Sequence, residues 1–182
     1  MEAFLHQLAS GLAAGGVYAS MALALVMVYQ ATHHINFAQG EMATFSAFIA
    51  WALLQAGVPY WLAFAATVLV SFAMGAAVQF AIVRPLEKAP ELSVVVVFIG
   101  LLVVFHSMAG WLFGFDVRRF PSPFPVDAWF GSALLSVHQL GAMAVTLGLV
   151  AMLFAFLRLT PLGLAMRAAA ENADSARLLG VP

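Results

Sequence analysis

Three polar side chains fall within six positions, Asn36, Gln39 and Glu41, in a stretch that is otherwise apolar on both sides. Asn36 followed three residues later by Gln39 is a capping-box spacing, which predicts a helix starting at Phe37 with its unpaired backbone N–H groups at that end. Such an end favours anions. Glu41, one turn inside, would cost on the order of 2.5–3.5 kcal/mol if it faced lipid at bilayer depth, so it is expected to face protein or a watery cavity. A helix broken at that depth is where transporters hold substrate. The competing reading is a polar helix start at the membrane surface, with His33 and His34 as interfacial neighbours, and residue types alone leave the two open.

A second cluster lies at 160–181. Thr160-Pro161 reads as an N-cap followed by proline at the first helical position, and Gly180 as a C-terminal cap, predicting one helix over 162–179. Arg167/Glu171 and Asp174/Arg177 are spaced as intrahelical ion pairs worth about 0.2–0.5 kcal/mol each. Ala165, Ala168, Ala169, Ala173 and Ala176 leave a smooth, small-residue face. Such a segment suits either an amphipathic helix lying on the membrane or a small-residue helix that docks into a partner's groove. Elsewhere chemistry is sparse. Asp116 and Asp127 flank Arg118-Arg119 in a loop with Pro121, Pro123 and Pro125, which reads as a stiff solvated connector. His6, His106 and His138 lack paired spacing and read as packing or interfacial residues. The single lysine, Lys88, follows Glu87 and not the glycine of a phosphate loop. No enzymatic chemistry, metal constellation or redox cofactor is predicted.

The elements that position these residues follow from composition. Of 182 residues, 64% are hydrophobic and 8% charged, far from the roughly half and quarter of a soluble domain. Seven Lys+Arg against eight Asp+Glu leave no basic surplus for nucleic acid, and the lack of cysteine removes disulfides and thiolate sites. The chain is predicted to be all-α, a polytopic transmembrane bundle of about five spans at 8–31, 37–56, 60–83, 92–114 and 136–158, followed by a short cytoplasmic helix. Arg84, Lys88, Arg158, Arg167 and Arg177 fall on one side of this map and Arg118 and Arg119 on the other. The positive-inside rule makes the first set cytoplasmic and the amino terminus external. Gly11, Gly15 and Ala19 recur every four residues as a small-residue packing stripe.

The stretch Ile35-Asn36-Phe37-Ala38-Gln39-Gly40-Glu41 resembles the Ile-Asn-Phe-Ala-His-Gly-Glu signature of branched-chain amino acid ABC importer permeases, with Gln39 where histidine is usual. Arg84-Pro85-Leu86 resembles the Arg-Pro motif of the same family, and 167–181 resembles its coupling segment through the Glu, the following Ala and the Leu-Leu-Gly-aliphatic ending. The resemblance implies a membrane permease subunit in a bacterial inner membrane. A periplasmic solute-binding protein would deliver the solute, a second permease subunit would complete the path, and ATP-binding cassette subunits would bind ATP, leaving no cofactor on this chain. It assigns Asn36, Gln39 and Glu41 to the translocation pathway or the permease interface. Arg167, Ala170, Glu171, Ala173, Asp174 and Gly180 fall to ATPase coupling. Family members continue with further spans, so residues 1–182 are expected to form a single permease domain, incomplete at the carboxyl end. The alternatives are a permease for another solute of the family, such as amides or urea, an ion-coupled secondary transporter using Glu41, or a non-transporting membrane scaffold.

Overall fold

The computed structural model describes residues 2–86, 89–123 and 137–181. Glu87, Lys88, Pro125 and Asp127, and the predicted start of the fifth span at 136, lie outside them. The described residues form helices α1 (Glu2–Thr32), α2 (Gln39–Gln55), α3 (Tyr60–Val78), α4 (Glu91–Phe113), α5 (Val137–Leu159), α6 (Pro161–Glu171) and α7 (Ala173–Leu178). Four stretches, Ser10–Gln30, Tyr60–Leu86, Glu91–Phe113 and Gln139–Leu159, are long and apolar enough to cross a membrane. The helix carrying Glu41 is shorter, at 17 residues, or about 25 Å at 1.5 Å per residue.

The chain divides into two compact units, Met1–His33 with Pro121–Pro182, and His34–Phe120. In the first, α1 and α5 run parallel: Gln139 Nε2 donates to Ser10 Oγ at 2.6 Å, and six residues further along α1 a Cβ on Gly16 would stand 3.2 Å from Thr146 Cγ2. The close approach therefore uses Gly16, next to the predicted stripe. Gly11 and Gly15 have open space above their backbones and, with Ala19, line a groove of about 550 Å³ beside Met143 and Leu147. Helix α1 ends at Thr32, where His33 takes a left-handed φ of 56°, a conformation that His adopts more readily than most side chains.

In the second unit α2 packs on both α3 and α4. Ser71 Oγ donates to Ser46 Oγ at 2.7 Å between α3 and α2, the small polar glue expected between helices in lipid. On α4, Val94, Phe98, Leu101, Phe105 and Ala109 are buried; their three- and four-residue spacing makes one helical face. Phe45 meets Phe105 and Phe113 edge-on, and Phe48 stacks on Phe113 at 5.1 Å between centroids. The order of these contacts makes α2 and α4 parallel. Helix α3 widens into a π turn at Gln79–Val83 and tightens into a 3-10 turn at Arg84–Leu86. Pro85 explains the change: it has no N–H for the α-helical ladder, and its ring crowds the carbonyl four residues back.

Candidate functional site

The segment before α2 does not form the predicted capping box. The Asn36 side chain accepts from Ala38 N at 3.0 Å, the Asn36 carbonyl accepts from Gln39 N at 3.2 Å, and the helix begins at Gln39 after Ala38, which makes no side-chain cap. Asn36 thus closes a tight turn two residues on, the local bond that competes with helix capping. This turn drives Ala38 to complete burial, in the same apolar cluster as Val83, Val94, Phe98, Leu101 and Phe105. Gln39 Oε1 is shut off from solvent.

Glu41 points across to α4. Its Oε2 lies 3.4 Å from Nδ1 of His106, with the Glu41 side chain 25% and the His106 side chain 59% exposed. The sequence reading made His106 a packing or interfacial residue; the structure adds a specific neighbour, the Glu41 carboxylate. Because α2 and α4 are parallel, the position of His106, more than halfway along α4, means that α2 begins well inside the length of α4 and not level with its start. The His106 ring also lies 5.8 Å from that of Phe115, just past the end of α4. Spacing within either helix could not reveal a partner sixty-five positions away; the available signal was that Glu41 and His106 are ionisable groups inside predicted spans, where each demands a partner.

The second candidate cluster belongs to the other unit. Thr160 caps α6 as predicted, its Oγ1 accepting from Gly163 N at 3.0 Å, with Pro161 at the first helical position. Gly163 is fully buried against the end of α5, and an added Cβ would run into the Phe156 carbonyl and the Leu157 backbone. The predicted single helix over 162–179 is in fact two. Asn172 is extended at φ −155°, ψ 100°, and its side chain accepts from Ser175 N at 2.9 Å to cap α7. Asparagine favours this capping role over a helix interior, so it ends α6 and starts α7 in one residue. The break separates Glu171 from Asp174. Among the described residues the ion pairs are Glu41–His106 and Asp116–Arg118, so the predicted pairs Arg167/Glu171 and Asp174/Arg177 do not close. Gly180 takes φ 83°, its N–H donates to the Arg177 carbonyl and that of Val181 to the Ala176 carbonyl, completing the predicted glycine cap. Arg167, Glu171, Asp174 and Gly180 are exposed and Ala170 is half-buried; Ala173 opens α7. Leu178 and Leu179 beside them are 89% and 83% exposed.

Long apolar helices, a Glu41–His106 contact between two of them and a polar elbow define an integral membrane helix bundle. Residues 7–182 match the family of the branched-chain amino acid transport system permease component, and the chain belongs to that family. The high-affinity branched-chain amino acid transport system permease protein BraD of Pseudomonas aeruginosa is 31% identical over 98% of the chain. The LivH permease proteins of Salmonella typhimurium and Escherichia coli K12 are 28% identical over the same share. The chain spans 62% of the length of these relatives. No solved structure matches it.

Proposed function

We propose that this chain supplies membrane-spanning helices of an ABC importer that carries branched-chain or closely related amino acids across a bacterial inner membrane. The observation that carries the reading is the family match over residues 7–182. Asn36, Gln39 and Glu41 shape the pathway or the interface with a second permease subunit: a carboxylate within an apolar helical unit, 3.4 Å from the His106 ring nitrogen, is expected to face protein or a watery path and not lipid. The elbow at α6 and α7 contacts the ATP-binding cassette subunit through Arg167, Ala170, Glu171, Ala173, Asp174 and Gly180. Its exposed leucines and acidic groups, on helices that follow a Thr160-Pro161 cap, support a docking role. ATP is bound and hydrolysed on that partner, and a periplasmic solute-binding protein delivers the solute. The family match favours this reading over ion-coupled transport.

The test is uptake of radiolabelled leucine into proteoliposomes holding the complete importer, its receptor and its ATPase. Uptake should require ATP inside the vesicle, and Glu171→Lys should leave ATP hydrolysis running while uptake falls at least tenfold. Leucine uptake that continues without ATP and stops with a protonophore would sink the proposal.

A further inference from the structure

Three tryptophans of the second unit fall at helix ends: Trp51 near the end of α2, Trp61 at the start of α3 and Trp111 in the last turn of α4. The short turn from α2 to α3 and the stack of Phe48 on Phe113 bring these ends level. Trp61 and Trp111 are 61% and 83% exposed, and the Tyr60 ring meets both Trp61 and Phe120 edge-on. Such rings gather where hydrocarbon meets headgroups, so they mark one membrane surface. Arg84 and Lys88, before α4, fall on the cytoplasmic side of the charge distribution, which makes the marked surface the external one.

That surface gives the Glu41–His106 contact a depth. His106 lies five positions before Trp111 and Glu41 ten before Trp51, about 8 and 15 Å inward along their helices at 1.5 Å per residue. From the Glu91 start of α4, His106 is about 22 Å away on the same scale. In a hydrocarbon core about 30 Å thick the contact therefore lies in the outer half, well below the headgroups. Protein does not enclose it there. The His106 side chain is 59% and the Glu41 side chain 25% exposed, and among the described residues no other side-chain hydrogen bond reaches either of them. A single contact at 3.4 Å leaves the second ring nitrogen and most of the carboxylate in need of partners, and lipid tails supply none. We infer that water fills the space over Glu41 and His106, as a vestibule that enters the membrane from its external face and ends at this pair. Its floor is the turn before α2: Ala38, three positions nearer the cytoplasm, is completely buried among Val83, Val94 and Phe98, an apolar plug where water stops. The inference rests on the transport reading above, and of the two roles proposed there for Glu41, pathway wall and subunit interface, it selects the first.

The chain has no cysteine, so a single one can be placed at will in the complete importer, reconstituted in oriented proteoliposomes. The probe is a positively charged, membrane-impermeant methanethiosulfonate added outside, with and without ATP inside, and the faster of the two labelling rates is compared between variants. His106→Cys should react at least tenfold faster than Val104→Cys, whose native side chain is 50% exposed at nearly the same depth but about 200° round the helix. A rate equal to that of Val104→Cys places the contact against lipid, labelling only after detergent places it under a second subunit, and labelling only from the inner compartment places the opening on the cytoplasmic side; each overturns the vestibule. Because His106→Cys removes one partner of the contact, the wild-type chain carrying 15N-labelled histidine provides a second measurement. In lipid nanodiscs, nuclear magnetisation should pass from water to the His106 imidazole, and a dry imidazole overturns the inference without any substitution. Leucine uptake keeps the two readings apart: uptake that persists without external labelling sinks the vestibule alone, and external labelling without uptake of any branched-chain amino acid sinks the transport reading alone.

Discussion

Gly163→Ala should destabilise the chain although alanine is the better helix former. In an open helical position the exchange gains up to about 1 kcal/mol of propensity. At Gly163 the new methyl group would enter the space of the Phe156 carbonyl and the Leu157 backbone, and backbone cannot rotate aside as a side chain can. Relief requires α6 to lift from the end of α5, breaking the bond from Gly163 N to Thr160 Oγ1. Overpacking of this kind costs about 1–3 kcal/mol, which for a chain of this size lowers the unfolding midpoint by roughly 3–9 °C. Gly75 and Gly148, helical and with nothing within 4 Å of a built Cβ, serve as controls whose alanine variants should be neutral or slightly more stable. Thermal unfolding in detergent followed by circular dichroism reads the sign. A Gly163→Ala midpoint equal to those of the two controls refutes the close-approach argument.

Removing the Asn36 side-chain acceptor with Asn36→Ala leaves the N–H of fully buried Ala38 without its partner, so stability should fall by about 1–3 kcal/mol; an unchanged midpoint would show that the turn is held by the backbone alone. Glu41→Gln and His106→Asn should couple in a double-mutant cycle by about 1 kcal/mol or less, the exposure of His106 keeping the value low, and strict additivity would dissolve the pair. Asn172→Ala should cost about 1 kcal/mol locally and appear as faster amide exchange at Ser175, whose N–H it caps; no change in that one amide argues against the break.

Four of the five predicted spans recur as helices long and apolar enough to cross a membrane, because lipid imposes a coarse rule: charge cannot sit in them unattended, so the intervals between charged residues mark them. Helix ends were legible where a residue has one dominant use, as with Thr160-Pro161 and Gly180. They were misread where a residue has two. Asn36 and Asn172 each offer a side-chain oxygen to a nearby N–H, but Asn36 spends it on Ala38 in a turn and Asn172 on Ser175 in a cap, and residue type and spacing did not separate these outcomes. The predicted ion pairs of the elbow stay open for another reason: each lies within one helix, Arg167/Glu171 in α6 and Asp174/Arg177 in α7, but all four side chains are exposed, where such a pair gains little over water.

The candidate sites show the same division between local and distant information. Glu41 could be singled out from its own surroundings, since a carboxylate in an apolar run is expensive wherever it lies. Its partner could not, because the pairing depends on α2 and α4 running parallel with their starts out of level, which brings a residue past the middle of one helix beside the first turn of the other. The loop after α4 carries the point further. Its prolines and charges have the composition of a solvated linker, and residues 115–122 are exposed, as that reading expects. What composition does not show is the local path: Gly110 yields room for one ring, Gly114 supplies one left-handed turn, and Arg118 lies over Trp51. A glycine followed four residues later by another, at the end of a span and before aromatic and charged residues, is the sequence trace of that fold-back, and it acquires meaning once the geometry is known.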